Sequence, residues 1–504
     1  MNPTVLAGAA AQLTTRNISR AAFLLTAFML LQKLLALGQQ VLIGRVIGLS
    51  AEADAFYIAQ TVPLLVGAWI MASLTNTLIP MLRTGDSRRT AGLLLSILAL
   101  LALSTLALFV CGGWVVGVLG HGLAPATARM SVRLLREMTI LIFLMGATGI
   151  LNALYYRYSR FLVPSIASCL LYVGAIGGVF LKPWLGVDGF AWGVVAGAIG
   201  QVVMLCWFVG PQDLRQPQFD GKQLAGFGKS FSNILVTLAV SAFCVIVDRA
   251  FASSGRAGTV TGVTLASNLM TIPSAMVVTS LNSALLPAFV QAREDKGAFA
   301  ALFRHALVYM IFFIGPGSLI LFFGSEPLVR LLFHSGKFDA HAVHVTAGLL
   351  TAYSVGIFGM ALKDVFSNAL IALGREWIAM LAGVLSLGAS IALKLIYLNP
   401  EYPTWIATST SIAMWIGAVL LLASVPVEWM RFWREQGWRL VLVNGLFVAV
   451  CVALWSWIQS GSTWQPLAAL TAAAAVYLVS AWMLRLNEQA GLRLKWNASA
   501  RIES

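Results

Sequence analysis

The stretch ADAFYIAQTVPLLVGAWIMASLTNTLIPML, Ala53 to Leu82, decides the fold. It is apolar almost throughout, opens with one acid (Asp54) and holds two prolines, Pro63 and Pro80. About 20 such residues cross a bilayer as a helix. A variant returns as TLASNLMTIPSAMVVTSLNSALLPAF, Thr264 to Phe289. Laid together without a gap, Ala59 meets Ala266, Pro80 meets Pro287, and SLTNTLIP (Ser73 to Pro80) faces SLNSALLP (Ser280 to Pro287). Asn152-Ala153-Leu154 recurs as Asn368-Ala369-Leu370 at a similar separation. Two segments repeating at similar offsets imply two homologous halves. In a membrane chain, that pattern marks a transporter with its site between the repeats.

Composition agrees with a membrane chain. Of 504 residues, 59% are hydrophobic and only 10% charged, with a mean hydropathy of +0.85. No soluble domain needs that much apolar surface. The five cysteines (Cys111, Cys169, Cys206, Cys244, Cys451) are scattered through apolar segments without CxxC spacing, so neither a disulfide nor a metal is expected of them.

The net charge of +14 reports topology rather than a nucleic-acid partner. Of the Lys/Arg residues, 21 fall in one set of alternate loops and tails and ten in the other, with Lys33 and Lys363 inside spans. The ten include Arg45, Arg129, Arg133, Arg136, Lys182, Arg249 and Lys394. Excess positive charge stays cytoplasmic, which puts both termini on that side.

Along the chain, a polar arm (Met1 to Arg20) leads into spans near Ala21–Ile47, Ala53–Leu82, Ala91–Val116, Ala128–Tyr155, Phe161–Leu181 and Val187–Val209. The polar linker Pro211 to Gln223 separates a second six, near Leu224–Phe251, Gly258–Gln291, Ala298–Phe323, His341–Leu373, Trp377–Tyr397 and Pro403–Ser424. Two more follow, near Gly437–Ile458 and Trp464–Leu484, then a tail. The expected fold is all-α and polytopic, with about fourteen spans: lobes at 1–211 and 222–426, an additional pair at 437–485, and a cytoplasmic tail at 486–504. Gly189, Gly193 and Gly197 form a small-residue rail for close helix packing.

Ionisable groups inside a span are costly, so each is a functional candidate. Lys33, Gln39 and Gln40 lie on the first helix with Arg45 near its end, and Asp54 opens the second. Asp248 and Arg249 end the seventh helix, and Lys363 and Asp364 lie within the tenth. The cations suit the phosphate oxygens of an amphiphilic substrate, and an acid suits a coupling proton or cation. The adjacent pairs Asp248-Arg249 and Lys363-Asp364 read equally well as neutralised structural pairs. Asp54 reads equally well as a helix N-cap. His334, Asp339, His341 and His344 crowd one loop, whose more natural reading is a helix start than a metal site. Gly228-Lys229-Ser230 lacks the earlier glycine of a phosphate-binding loop. With no triad or paired carboxylates on an extramembrane domain, an enzyme is not expected, nor is a cofactor.

Three segments carry a resemblance: GRVIGLSAEADAFYIA (Gly44 to Ala59), SLNSALLP, and LLFHSGKFDAHAV followed by TAYSVGIFGM (Leu331 to Met360). In these the chain resembles the MurJ/MviN family of lipid flippases, within the multidrug/oligosaccharidyl-lipid/polysaccharide exporter superfamily. The resemblance implies two six-helix lobes around a cavity, and two last helices that form a groove for a lipid tail. It implies alternating access for an undecaprenyl-pyrophosphate-linked saccharide in the inner membrane. The implied partners are that lipid-linked substrate, membrane lipids and glycan-synthesis enzymes, with the chain acting as a monomer. The substrate-binding positions are Lys33, Gln39, Gln40, Arg45, Asp54 and Asn268.

The chain departs from the family's cluster of cavity arginines. Lys33 and Gln39 stand where the family's first helix has arginines, and Arg45 is retained. Gly67 and Ala68 replace a double arginine, and Asn268 replaces another. Fewer fixed cations hold a pyrophosphate less strongly. That favours a surface-polysaccharide precursor, with lipid II of peptidoglycan synthesis as the alternative. A cation-coupled small-molecule exporter and a non-transporting scaffold are the readings from other classes.

Overall fold

A computed structural model gives the architecture and describes residues 15–84, 87–158, 160–209, 221–397, 399, 401–425, 433–458, 464–484 and 486. Of the expected polar segments, residues 1–14, 211–220 and 487–504 lie outside the described residues. The described secondary structure is helical, with no strand among the described residues. Eleven of the described helices are long and apolar enough to cross a membrane. Helices over 221–252, 259–292 and 438–453 occupy the other three expected spans.

By contacts, the chain forms two compact units, Met1–Ala242 and Phe243–Ser504. In the first, α1 (Thr15–Ile47) and α2 (Ala51–Thr84) meet at a short corner. Then come α3 (Ser87–Leu119), α4 (Pro125–Met138), α5 (Ile140–Arg157), α6 (Leu162–Phe180), the one-turn α7 (Lys182–Leu185) and α8 (Asp188–Val209). The helix α1 already includes Arg16 and Arg20, which the sequence placed in a polar arm: no breaker stands between Thr15 and Ala21, so the helix runs on past the apolar residues. The span expected over Ala128–Tyr155 is one apolar segment, Pro125–Arg157, built of two helices that meet at Thr139, whose hydroxyl donates back to the Arg136 carbonyl. That competing bond accompanies the break in the ladder.

The boundary falls within α9 (Gly221–Ala252), whose last turns belong to the second unit with α10 (Thr259–Ala292), α11 (Lys296–Phe323), the amphipathic α12 (Ser325–Phe333), α13 (Ala340–Ala372), α14 (Glu376–Ile396) and α15 (Thr404–Leu422). The C-terminal helices are α16 (Trp438–Ala453), the one-turn α17 (Trp455–Ile458) and α18 (Trp464–Met483).

Corresponding helices pair in the same way in each unit. In the first, α2 packs on α5, α5 on α8 and α6 on α8; in the second, α10 packs on α13, α13 on α15 and α14 on α15. Small residues bring these backbones together, as association in lipid requires. A methyl added at Gly197 of α8 would lie 2.6 Å from the Leu171 carbonyl of α6, and one at Gly149 of α5 would lie 2.6 Å from the Met71 carbonyl of α2. Hydroxyls then cross the same interfaces: Thr75 donates to the Gly149 carbonyl (3.1 Å) and Ser411 to the Ala352 carbonyl (2.7 Å). The last two long helices are tied to the second unit by Tyr477 of α18, which donates to the Phe312 carbonyl of α11 (2.8 Å).

Large apolar side chains remain exposed along α3 (Leu103, Leu106, Val110), and tryptophans (Trp184, Trp207, Trp464, Trp482) are exposed near helix ends. That is the surface a bilayer with its interfacial aromatic belt requires.

Candidate functional site

In the first unit, the candidate residues gather where α1 ends and α2 begins. The chain leaves α1 through Gly48, whose φ of 69° suits a residue without a Cβ. Its N–H donates to the Gly44 carbonyl (2.8 Å). The cap of α2 is Ser50, whose hydroxyl accepts from the Ala53 N–H (3.2 Å). Asp54 is therefore not the N-cap: it lies inside the first turn, 2% exposed, where the helix dipole favours its negative charge. Arg45, in the last turn of α1, is half-buried, as are Gln39 and Gln40. Lys33, seven residues before Gln40 on the same helix, is exposed, and no described residue pairs with it. Lys182 of α7 donates from Nζ to the Val46 carbonyl (2.9 Å), satisfying an orphan acceptor in the last turn of α1.

The second unit holds a buried charge knot. Asp248 of α9 is 5% exposed and Lys394 of α14 is 0% exposed, and Lys394 Nζ lies 3.0 Å from Asp248 Oδ1. Thr410 of α15 donates to the same oxygen (2.7 Å), and Tyr353 of α13 donates to Oδ2 (2.6 Å). The ammonium donates in turn to Thr410 Oγ1 (2.7 Å) and to Ser390 Oγ. Four helices thus meet on one ion pair whose charges are both hydrogen-bonded, the condition under which a buried pair is tolerated.

This corrects two readings of the sequence. Asp248 takes its counter-ion from Lys394 rather than from Arg249, because successive residues on a helix point about 100° apart and do not face each other. Lys394, counted from sequence among the outer loop cations, is inside the protein.

The remaining candidates are separate from the knot's hydrogen bonds. Asn268 of α10 is half-buried. Lys363 and Asp364 of α13 are half-buried and make no ion pair with each other among the described residues. The Lys363 stem crosses Gly417 of α15, where an added methyl would come within 3.0 Å of its Cδ. Asp339, from the histidine-rich loop, caps α13 by accepting from the Ala342 N–H (2.8 Å). Gly67, where the resembled family carries an arginine, is buried against α5, and a Cβ there would lie 2.7 Å from Met145 Sδ.

The two arrangements have different chemical capacities. Asp248 and Lys394 neutralise each other in a dry interior, which suits fixing helices rather than exchanging ions with solvent. Lys33 carries a charge on a helix that crosses the apolar layer, which is costly unless water or an anionic ligand receives it.

Comparison with known proteins gives concordant results. A family described as lipid II flippase MurJ matches residues 43–477. A lipid II flippase MurJ of Burkholderia cenocepacia is 26% identical over 515 residues, covering 89% of this chain and 97% of its own length. A probable lipid II flippase MurJ of Vibrio cholerae is 22% identical, covering 95% and 98%. A solved lipid II flippase MurJ in an inward closed conformation superposes with a TM-score of 0.81 at 20% identity, covering 92% of this chain and 99% of its own. An inward-facing multidrug resistance MATE family transporter superposes at 0.64 with 13% identity, covering 80% and 94%. These structural likenesses concern the fold.

Proposed function

From the premise that this chain belongs to the lipid II flippase MurJ family, we propose that it moves lipid II across the bacterial inner membrane. It is a multi-pass membrane transporter of the flippase class and not an enzyme. The observation that carries the substrate is the near end-to-end match to relatives named for lipid II. This reading displaces the surface-polysaccharide precursor that the missing arginines favoured. In the proposed reading, Lys33, Gln39, Gln40, Arg45 and Asn268 receive the pyrophosphate-saccharide head during alternating access. Asp54 is the buried acid whose charge state changes during return of the empty carrier. Both termini are cytoplasmic, following the excess of basic residues in alternate loops, and one chain with its internal repeat suffices as the transport unit.

A second reading retains support from specific positions. Gly67, Ala68 and Asn268 leave fewer cations than the family pattern has, which suits a different undecaprenyl-linked glycan.

The experiment is depletion of the protein in its native cell, with undecaprenyl-linked intermediates of the inner and outer leaflets assayed separately. Lipid II accumulating on the inner leaflet, with lysis, is the expected result. Accumulation of another glycan-lipid in viable cells overturns lipid II in favour of the second reading. No change in either lipid overturns flipping.

A further inference from the structure

The first unit contains a groove of about 660 Å³ between α3 and α4. Its apolar side is Phe109, Gly113, Val116 and Gly117 of α3, and its polar lip is Arg129, Arg133 and Arg136 of α4, with Glu137 beside them. The arginines recur at four- and three-residue spacing, so they share one helix face. Arg133 is held by Asp188 of α8 (2.9 Å). Arg129 is tied only to a carbonyl, its Nε donating to Pro125 (3.3 Å), and the Arg136 guanidinium lies over the Phe109 ring (5.5 Å). Neither makes an ion pair among the described residues. Glu137 Oε2 is buried with no hydrogen-bond partner among them.

The groove is not a defect in helix packing. On the neighbouring face, Gly112 is where α3 meets α4: a methyl there would lie 2.9 Å from Leu135 Cδ2. Methyls added at Gly113 and Gly117 would instead meet nothing within 4 Å. The same helix exposes Val110 and Trp114, at 69% and 74%, to what the fold makes a lipid environment. The space is therefore apolar, open to the bilayer, and bounded by two arginines without an ion pair among the described residues and by Glu137.

We propose that this groove is a binding site for a structural phospholipid, phosphatidylethanolamine, independent of the transported substrate. Its phosphate lies on Arg129 and Arg136, its ammonium donates to Glu137, and an acyl chain fills the hollow beside Gly113 and Gly117. Guanidinium groups pair with phosphate oxygens through charge-assisted, often bidentate hydrogen bonds. The carboxylate selects a headgroup that also carries a donor, and charge is matched at both ends.

The test is native mass spectrometry of the full chain in detergent, titrated with phosphatidylethanolamine, phosphatidylcholine or phosphatidylglycerol of identical acyl chains. Phosphatidylethanolamine should be retained over phosphatidylcholine, which has the same phosphate and no N–H donor. Glu137→Gln should erase most of that preference. The double variant Arg129→Ala/Arg136→Ala should weaken retention at least tenfold, since it removes both cations placed on the phosphate. Arg133 is left in place because it holds Asp188. Gly117→Leu puts a side chain into the hollow from a Cβ that meets nothing within 4 Å, and should displace the lipid while the thermal midpoint stays unchanged. Equal retention of all three lipids, phosphatidylglycerol bound as tightly as phosphatidylethanolamine, unchanged retention in either the arginine or the Gly117→Leu variant, or displacement by inorganic phosphate alone would each overturn the assignment.

Discussion

Lys394 Nζ lies 3.0 Å from Asp248 Oδ1 with neither residue open to solvent, and the first unit contains a related tie. There Lys182, just beyond α6, donates to the Val46 carbonyl in the last turn of α1. Here Lys394, near the end of α14, reaches the last turns of α9. In each repeat a lysine from the end of the fifth span fixes the end of the first. The chemistry differs: a carbonyl needs a donor, whereas the Asp248 carboxylate needs a cation.

Removing one charge from the knot should therefore cost more than removing both. Lys394→Met leaves a buried carboxylate unpaired, which destabilises by about 3–5 kcal/mol. Asp248→Leu should cost a similar amount by stranding the ammonium. The double variant Asp248→Leu/Lys394→Met should lie closer to the parent than either single one. Unfolding midpoints in one mixed-micelle system measure all three, and strictly additive losses would show that the pair is not coupled.

Tyr353 donates to the carboxylate oxygen that the ammonium does not contact. Tyr353→Phe keeps the ring and removes that bond, so it should cost about 1.5–3 kcal/mol, the range for a hydrogen bond to a charged group. Combined with Lys394→Met the loss should be non-additive, because both act on one carboxylate. The same unfolding assay in a double-mutant cycle gives the coupling.

The sequence made the spans legible because lipid permits few alternatives: long apolar runs, two prolines repeating at Pro80 and Pro287, and basic residues sorted by loop. The knot was less legible because adjacent charges drew attention to Asp248-Arg249, while the true partner lies 146 residues away on another helix. A signal was present nonetheless. The buried residues of α14 are Ala382, Ser386, Ser390 and Lys394, a small and polar stripe at four-residue spacing on an otherwise apolar helix. A lysine completing such a stripe faces the protein, not a loop. Ser50 shows the complementary difficulty. Whether it or Asp54 caps α2 depends on where the helix starts, which periodicity fixes only to within a few residues.

The glycine rail between α6 and α8 separates packing from simple composition. Gly197→Leu forces a side chain onto the Leu171 carbonyl, 2.6 Å from its Cβ, and should abolish folded protein in detergent extracts. Gly177→Leu, on the same pair of helices, places a Cβ that meets nothing within 4 Å and should fold at parental yield. Size-exclusion profiles of the two variants make the comparison. Equal behaviour would mean that the close approach of α6 and α8 does not limit stability.

The proposed transport roles separate by charge and exposure. Lys33 is exposed on an apolar helix, so Lys33→Ala changes little that holds the fold together and should leave the unfolding free energy within about 0.5 kcal/mol of the parent. Lys33→Arg keeps a cation for a phosphate and should preserve most lipid translocation, whereas Lys33→Ala should lose it. Asp54 is buried in the first turn of α2. Asp54→Asn retains its volume, removes its charge and a favourable dipole interaction worth about 0.3–1 kcal/mol, and should stop turnover without unfolding the protein. Leaflet-resolved lipid II in cells depleted of the parent protein and supplied with each variant is the measurement. Full translocation by Lys33→Ala at normal protein levels would remove Lys33 from the substrate path, and full translocation by Asp54→Asn would remove the acid from the return step.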